Sequence, residues 1–89
     1  MTWAIEFSSL ARKSLQKLDP QVSRRVLKFL HERIVPLEDP RMLGEALKGS
    51  TLGKFWKYRV GDNRIIAHID DGNVRILVVR IGNRRELYR

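Results

Sequence analysis

Basic side chains and one tyrosine are the residues of this sequence whose types and spacing could do chemistry. They lie in its C-terminal part: Lys57, Arg59, Arg64, Arg84 and Tyr88. Such a set suits a substrate that supplies its own nucleophile, as RNA does with its 2′-hydroxyl group. A protein can cleave RNA by aligning that oxygen with the neighbouring phosphate and by stabilising the pentavalent charge with guanidinium and ammonium groups. One group must accept the 2′ proton, for which a lysine crowded by arginines is a candidate, and another must protonate the departing 5′ oxygen.

Other chemistries find little support in the residue types. The sequence has two histidines and no cysteine, and it lacks the paired His and Asp spacing typical of zinc and iron sites. We interpret His31 as a boundary residue of a helix and His68 as a structural residue of a strand, at the edge of the basic cluster. No serine lies in a nucleophile elbow, and the segment LGKFWK lacks the phosphate-loop pattern. We therefore expect no metal and no other cofactor.

The charge balance of the chain indicates an anionic partner. Lysine and arginine number 18 against 10 aspartates and glutamates, which gives a net charge of +8. Residues 1–53 carry nine basic and six acidic side chains, and residues 54–89 carry nine and four, so the excess is larger in the second segment. A small domain this basic suits nucleic acid, a ribonucleoprotein, an acidic protein or a membrane surface. General solubility is the alternative explanation.

Length and composition predict one domain that spans residues 1–89, because two domains would each fall near the lower limit for a self-sufficient core. The absence of cysteine suits a reducing cytosol. The N-terminal segment MTWAIEFSSL lacks the features of a signal peptide, and apolar runs such as residues 76–79 are too short to span a membrane. We expect a cytoplasmic protein.

A short strand and two helices are predicted in the N-terminal half. Apolar and polar side chains alternate over residues 3–7, which predicts the strand. The serines at residues 8–9 offer an N-cap to a first helix that ends near Leu18. The Asp-Pro pair at residues 19–20 starts a second helix, which Pro36 stops. The apolar stripe of the second helix comprises Val22, Val26, Phe29, Leu30 and Ile34. The outer face of this helical hairpin is basic and reads as a solvated surface: Arg12, Lys13, Lys17, Arg24, Arg25 and Lys28.

Three strands are predicted in the C-terminal half. Residues 36–53 read as a loop with room for one helical turn, and the hydrophobic period then changes to two. Strands follow at residues 54–60, 64–69 and 74–82, joined by the turn sequences GDN and DDGN. The expected order is β-α-α-β-β-β, in the α+β class. The helical hairpin covers one face of an antiparallel sheet with a C-terminal three-strand meander.

The uncovered face of that sheet is where the basic cluster is expected. Alternation puts Lys57 and Arg59 on this face, and the short turn after residue 60 brings Arg64 close to both. Cations packed this closely repel one another, so their clustering favours an anion among them. The sequence therefore predicts an anion-binding site on the open face of the sheet.

Four segments of the chain resemble the RelE toxins of bacterial toxin–antitoxin systems, within the larger RelE/ParE superfamily. They are F-x-x-x-A-x-K-x-L-x-K-L-D from Phe7, L-K-G at residues 47–49, W-K-Y-R-V-G-x-x-R-I-I from Trp56, and the ending I-G-N-R-R-E-L-Y-R. They occur in the family order, and the resemblance extends over essentially the whole chain. The resemblance implies the same β-α-α-β-β-β fold. It also implies an mRNA interferase that enters the ribosomal A site and cleaves the message, leaving a 2′,3′-cyclic phosphate and a 5′-hydroxyl.

The resemblance also implies roles for individual residues. Lys57 matches the lysine proposed as general base, and Arg64 matches the arginine that grips the scissile phosphate. Arg84 matches an arginine proposed as acid or transition-state clamp, and Tyr88 matches a tyrosine that stacks on or orients the nucleotide. The residues expected to contact RNA are Lys54, Arg59, Asn83 and Arg85. Many relatives have histidine where this chain has Asn83. An asparagine cannot act as an acid or base at any accessible pH, so the protein would depend on lysine and arginine chemistry, be slower, or have lost activity.

The partners implied by the resemblance are a RelB-like antitoxin, the ribosome and mRNA, with DNA reached only through the antitoxin. An acidic, partly disordered antitoxin segment would suit a surface of this charge.

Two other functions remain open. One is a ParE-like toxin that poisons DNA gyrase on the same fold without nuclease activity. The other is a plain nucleic-acid-binding module, which would favour exposed aromatic side chains, and only Phe55 and Tyr88 are placed for that role.

Overall fold

A computed structural model describes residues 2–47 and 55–83 of the 89-residue chain. Strand β1 (Ala4–Phe7) leads into helices α1 (Ser9–Lys17) and α2 (Pro20–Phe29). A π-helical turn (Leu30–Ile34) and a 3-10 turn (Pro40–Leu43) follow. Four strands complete the order: β2 (Glu45–Ala46), β3 (Phe55–Val60), β4 (Asn63–Asp70) and β5 (Arg75–Asn83). The predicted β-α-α-β-β-β order is confirmed, with β2 as a short addition inside the predicted loop.

The two helices begin at the predicted caps. The side chain of Ser8 accepts a hydrogen bond from the Ala11 amide at 3.1 Å, and that of Asp19 accepts one from the Gln21 amide at 2.9 Å. Both bonds satisfy amides that have no partner within the first turn of a helix. The predicted second helix continues to Ile34, but its last turn is π-helical, with the Val35 amide bonded to the Leu30 carbonyl at 2.9 Å. The apolar stripe therefore stays buried up to Ile34 although the helical period changes.

The sheet has the strand order β1-β5-β4-β3-β2. Strands β3, β4 and β5 form the predicted antiparallel meander. The sheet is nevertheless mixed, because β1 lies beside β5 and runs parallel to it, with Ala4 opposite Arg75 and Phe7 opposite Val78. The helical hairpin and the first strands of the meander separate β1 from β5 in sequence. That length of chain allows the two edge segments to run in the same direction.

The core lies between one face of the sheet and the helical hairpin. Its fully buried members come from both layers: Val26, Leu30 and Ile34 from the helical side, and Tyr58, Ile65, Ile76 and Val78 from the strands. Burial raises the pKa of Tyr58 to about 12. The protonated phenol donates a hydrogen bond to the Pro40 carbonyl at 2.6 Å, which ties the 3-10 turn to the sheet.

A bulge in β5 reverses which face of the sheet the following side chains occupy. Ile66 lies opposite Arg80, whereas the next residue of β4 lies opposite Val78, so Val79 is an extra residue. Without it, strict alternation would turn Arg80 towards the core and Ile81 away from it. The Ser8 hydroxyl donates to the Val79 carbonyl at 2.8 Å, and the Ser8 amide donates to the Val78 carbonyl at 2.9 Å. Ser8 therefore caps α1 and also donates hydrogen bonds to two carbonyls at the bulge.

The described part of the predicted loop, residues 36–47, contains the expected helical turn and the strand β2. Arg41 anchors this segment. Its guanidinium makes ion pairs with Asp39 and Asp71 and lies 5.8 Å from the ring centroid of Trp56. Within the residues that the structure describes, no helix has the length and apolar character needed to cross a membrane.

Candidate functional site

The open face of the sheet carries the basic cluster that the sequence predicts. Tyr58 is only 1% exposed in the core, so its neighbours on β3, Lys57 and Arg59, face the other way. Arg59 lies directly opposite Arg64 of β4, and Lys57 lies opposite Ile66. The strand register therefore brings all three predicted cations to one surface.

Arg64 is positioned by the turn between β3 and β4. Gly61 begins this turn with a φ of +60°, a conformation that glycine adopts without steric cost. The Arg64 Nη1 atom donates to the Gly61 carbonyl at 3.2 Å and to the Asn63 carbonyl at 3.1 Å. These bonds hold one nitrogen of the planar guanidinium fork against the turn, which fixes where the rest of the fork lies.

Glu45 is a member of the site that the sequence analysis did not find. The short strand β2 places Glu45 opposite Lys57, and the carboxylate Oε2 lies 3.5 Å from the lysine Nζ. The lysine side chain is 17% exposed and the glutamate 65%, so the ion pair closes one side of the lysine. No hydrophobic period marked this strand, because it has only two residues and follows the 3-10 turn.

Across the strands, the open face is arranged in rows. Arg59 and Arg64 form the first row. The second row contains Glu45, Lys57, Ile66 and Arg80, and the third contains Phe55, His68, Leu77 and Glu6. In the third row the rings of Phe55 and His68 meet edge to face, with centroids 6.0 Å apart.

The fourth row of the open face contains an ion pair. Asp70 lies opposite Arg75, and the guanidinium of Arg75 contacts both Asp70 at 3.4 Å and Glu6 at 3.3 Å. A hydrogen bond from the Asn73 side chain is the main cause that lowers the pKa of Asp70. The described part of the face therefore runs from Arg59 and Arg64 near the β3–β4 turn, through a row that is aromatic and apolar apart from Glu6 at its β1 end, to an ion-paired row near the β4–β5 turn.

Four of the predicted site residues, Lys54, Arg84, Arg85 and Tyr88, lie outside the described residues, so their predicted roles stay predictions. Asn83 is the last residue of β5 and lies opposite Asn63. Strand alternation places the Asn83 side chain on the face opposite to that of Lys57 and Arg64. The residue is exposed, at the end of its strand. A role for Asn83 in RNA contact also stays a prediction.

The histidines lie where the sequence analysis expects them. His31 is exposed on the π-helical turn, and His68 is partly buried on the open face beside Phe55. Among residues 2–47 and 55–83, no group of three or more His, Cys, Asp or Glu side chains could hold a metal ion.

A second surface lies on the helical hairpin. The six predicted cations of its outer face are all exposed. At the start of α1 a shallow depression of about 370 Å³ is lined by Phe7, Ser9, Arg12, Lys13 and Gln16. Its lining combines one aromatic side chain with two cations and two neutral polar side chains, a mixture that suits a protein segment of opposite charge.

A helical hairpin on one face of a five-stranded sheet, with a cationic cluster on the other face, defines a class of small basic α+β proteins. A family model described as the ParE toxin of the type II toxin–antitoxin system parDE matches residues 5–88. The chain belongs to this RelE/ParE superfamily and is a toxin of a type II toxin–antitoxin system.

The relatives of the chain agree with this assignment. Toxin RelG of Mycobacterium tuberculosis is 28% identical over 89 residues, which cover 100% of this chain and 99% of RelG. A chain of the M. tuberculosis RelBE2 toxin–antitoxin complex is 25% identical with a TM-score of 0.84, over 94% of this chain and 93% of that chain. A chain of the intact Escherichia coli RelBE complex is 25% identical with a TM-score of 0.71, over 91% and 95%. The RelE-like fold expected from the sequence is confirmed.

Proposed function

We propose that this toxin is a ribosome-dependent endoribonuclease that cleaves mRNA in the A site and so inhibits translation, acting as one domain. The observation that carries the proposal is the cation cluster on the open sheet face, where Arg59 lies opposite Arg64 and Lys57 follows on the same strand face. A phosphodiester is the kind of anion that relieves the repulsion within such a cluster. Nothing in this chemistry requires a metal, because the message supplies the nucleophile.

In the proposed reaction Lys57 accepts the proton of the 2′-hydroxyl as that oxygen attacks the adjacent phosphorus. Arg64 holds the phosphate oxygens, and its contacts with the β3–β4 turn pre-organise the guanidinium for this task. Arg84 protonates the departing 5′ oxygen or stabilises its charge, while Tyr88 orients the nucleotide. The bond between phosphorus and the 5′ oxygen breaks as the bond to the 2′ oxygen forms. The products are a 2′,3′-cyclic phosphate and a 5′-hydroxyl.

The ion pair between Lys57 and Glu45 bears on the first step. The Glu45 carboxylate lies 3.5 Å from the Lys57 ammonium group, so the lysine must leave Glu45 before it can reach the 2′-hydroxyl. An incoming phosphate competes with Glu45 for the same ammonium group. Lys54, Arg59, Arg85 and Asn83 are proposed to contact the RNA on either side of the scissile bond.

The proposed partner that controls the toxin is a RelB-like antitoxin. Two of the similar structures are complexes of a RelE-like toxin with its antitoxin, from M. tuberculosis and E. coli. A net charge of +8 attracts an acidic antitoxin segment. Such a segment can neutralise the cluster, the basic hairpin face, or both. A toxin directed at ribosomes and held by such a partner would act in the cytoplasm.

Poisoning of DNA gyrase is the second candidate function, because the matching family model is that of the ParE toxins. The two candidates differ in what they require of the open face. A gyrase poison acts by binding and needs no lysine and arginine in line with a phosphate. A nuclease needs Lys57 and Arg64 together.

The deciding experiment adds purified toxin to programmed ribosomes and maps the message ends by primer extension. We expect cuts within the A-site codon. Arg64→Ala should slow cutting about 10²- to 10³-fold, since it removes one preorganised donor to the transition state. Arg24→Ala, an exposed cation of the helical hairpin, is the matched control and should cut at the wild-type rate. Absence of A-site cuts together with inhibition of gyrase supercoiling would establish the second candidate instead.

A further inference from the structure

Phe55 and His68 form an aromatic pair on the open face that the reaction proposed above does not use. They lie directly opposite each other on β3 and β4, with ring centroids 6.0 Å apart and planes inclined at 67°. Both side chains are partly exposed, on the side of the sheet that the helices leave uncovered. We propose that this pair is a nucleobase subsite, at which one base of a single-stranded RNA stacks. The inference rests on the proposed function, since it assigns a place to the base next to the reacting phosphate.

The position of the pair relative to the cations supports this assignment. Phe55 and Lys57 are two residues apart on one strand, so the aromatic row and the lysine row are separated by about 6.8 Å. Arg59 and Arg64 lie one row further in the same direction. A phosphate held among these cations thus has an aromatic surface beside it, within the reach of the base of the same or the adjoining nucleotide.

The charges on both sides of the aromatic row favour one orientation of the RNA. On the side of Lys57 the cations are in excess. On the other side lies Asp70, and Arg75 there is already engaged by two carboxylates. A phosphate is attracted to the first side and repelled by the second, and the uncharged base occupies the row between them. The neighbours Ile66 and Leu77 are apolar, and Glu6, at the β1 end of the aromatic row, is paired with Arg75.

An aromatic ring on an open sheet face can also be ordinary half-buried packing. The two explanations differ in what they predict for RNA. Base stacking on aromatic side chains is a common mode of single-strand recognition, in which each stacked base changes the affinity about 5- to 150-fold. Packing alone predicts that the affinity for RNA does not depend on these rings.

The test measures binding of a short, 2′-O-methylated RNA that cannot be cleaved, with 2-aminopurine placed at successive positions. Stacking on the pair should quench the fluorescence at one position, and an abasic residue at that position should weaken binding. Phe55→Leu and His68→Gln remove the rings and leave smaller uncharged side chains, so both should lose the quenching and weaken binding about 5- to 150-fold. His31→Gln, an exposed histidine on the π-helical turn, is the matched control.

Three outcomes would overturn the subsite: no quenching at any position by the wild-type protein, equal affinity for the abasic RNA, or unchanged binding by both variants. The abasic measurement uses wild-type protein, so it decides the question even if a variant fails to fold. Loss of antitoxin binding by the variants with unchanged RNA binding would assign the face to the protein partner and overturn the proposal. Because the RNA is uncleavable, the readout does not depend on nuclease activity. Quenching without A-site cuts would support the subsite and refute only the proposed function.

Discussion

Lys57 and Arg64 are held in different ways in the free protein. The Arg64 guanidinium donates hydrogen bonds to backbone carbonyls of its own turn. These carbonyls carry no net charge, so they do not compete with a phosphate as a counter-ion. The Lys57 ammonium is paired with the carboxylate of Glu45, which does compete. RNA must therefore displace Glu45 from Lys57, whereas Arg64 keeps its bonds to the turn.

Replacement of Glu45 by glutamine tests this difference. Glu45→Gln removes one negative charge next to Lys57 and keeps the size of the side chain. We expect tighter binding of an uncleavable RNA, by up to about fivefold, because exposed ion pairs contribute at most about 1 kcal/mol. The measurement is a titration followed by fluorescence anisotropy.

Glu38→Gln removes the same charge at an exposed position away from the basic cluster and serves as the control for Glu45. Both variants have the same net charge, so any difference between them reports the local pairing with Lys57. Equal affinities for the two variants would show that Glu45 does not obstruct the phosphate.

Individual site residues were predictable where strand alternation applied. Lys57, Arg59 and Arg64 lie on strands with a clear period of two, and one buried neighbour fixes the face of each strand. Glu45 was not predictable, since the pairing of a two-residue strand depends on the 3-10 turn that precedes it.

At the scale of elements, Ser8 joins the start of α1 to the bulge of β5. Its hydroxyl oxygen accepts from the Ala11 amide and donates to the Val79 carbonyl. The helix cap was predictable from the position of a serine before an apolar period. The bulge was not, because an extra residue in one strand is defined only by the partner strand.

Ser8→Ala removes both hydrogen bonds at once. We expect a loss of about 1 to 3 kcal/mol in the free energy of unfolding, from the missing helix cap and from a bulge carbonyl left without its partner. Urea unfolding followed by circular dichroism measures it. Ser9→Ala, at the exposed first residue of α1, should change the stability by less than about 0.5 kcal/mol. Equal effects of the two substitutions would mean that Ser8 is not the link between helix and bulge.

The order of the strands was likewise predictable only in part. The meander follows from two short turns between periodic segments, and its three strands are in the predicted places. The parallel position of β1 next to β5 joins the two ends of the chain, and no local pattern encodes such a pairing. The β2 strand pairs with β3 at the opposite edge of the sheet, and no local pattern encodes that pairing either.

At the scale of the whole molecule, the basic cluster and the Asp70–Asp71 pair lie at opposite ends of the described meander, although Asp62 shares the β3–β4 turn with the cations. The basic cluster lies near the β3–β4 turn, whereas Asp70 and Asp71 lie at the β4–β5 turn. Arg41 ties this acidic end to the 3-10 turn, with Nη1 at 3.1 Å from the Asp71 carboxylate, across 30 positions of sequence. The net charge predicts an anionic partner, which stays a prediction, and a sum over the sequence cannot show where the acidic residues lie.

The tie between Arg41 and Asp71 makes stability depend on acid pH. The hydrogen bond from Arg41 lowers the pKa of Asp71 in the folded protein. A lowered pKa contributes stability that is present above the unfolded value, about 3.9, and is lost as the pH falls through the folded value. Asp71→Asn should therefore be less stable than the wild type at pH 7, and the difference should shrink below about pH 4.

Urea unfolding at a series of pH values from 7 to 2.5 measures this difference. Asp62→Asn, on the other turn of the meander, is the control that removes the same charge elsewhere. A difference between Asp71→Asn and the wild type that stays constant with pH would rule out the ion pair as its source.

The extra residue at Val79 shifts the alternation of side chains in β5 by one residue. The strand therefore has one alternation frame before the bulge and another after it. Ile76 and Val78 belong to the first frame, and Ile81 belongs to the second. Deletion of one residue near the bulge would merge the frames and expose Ile81 on the open face, next to the cations. A substitution at the same place leaves both frames intact. This strand therefore tolerates a change of residue far better than a change of length.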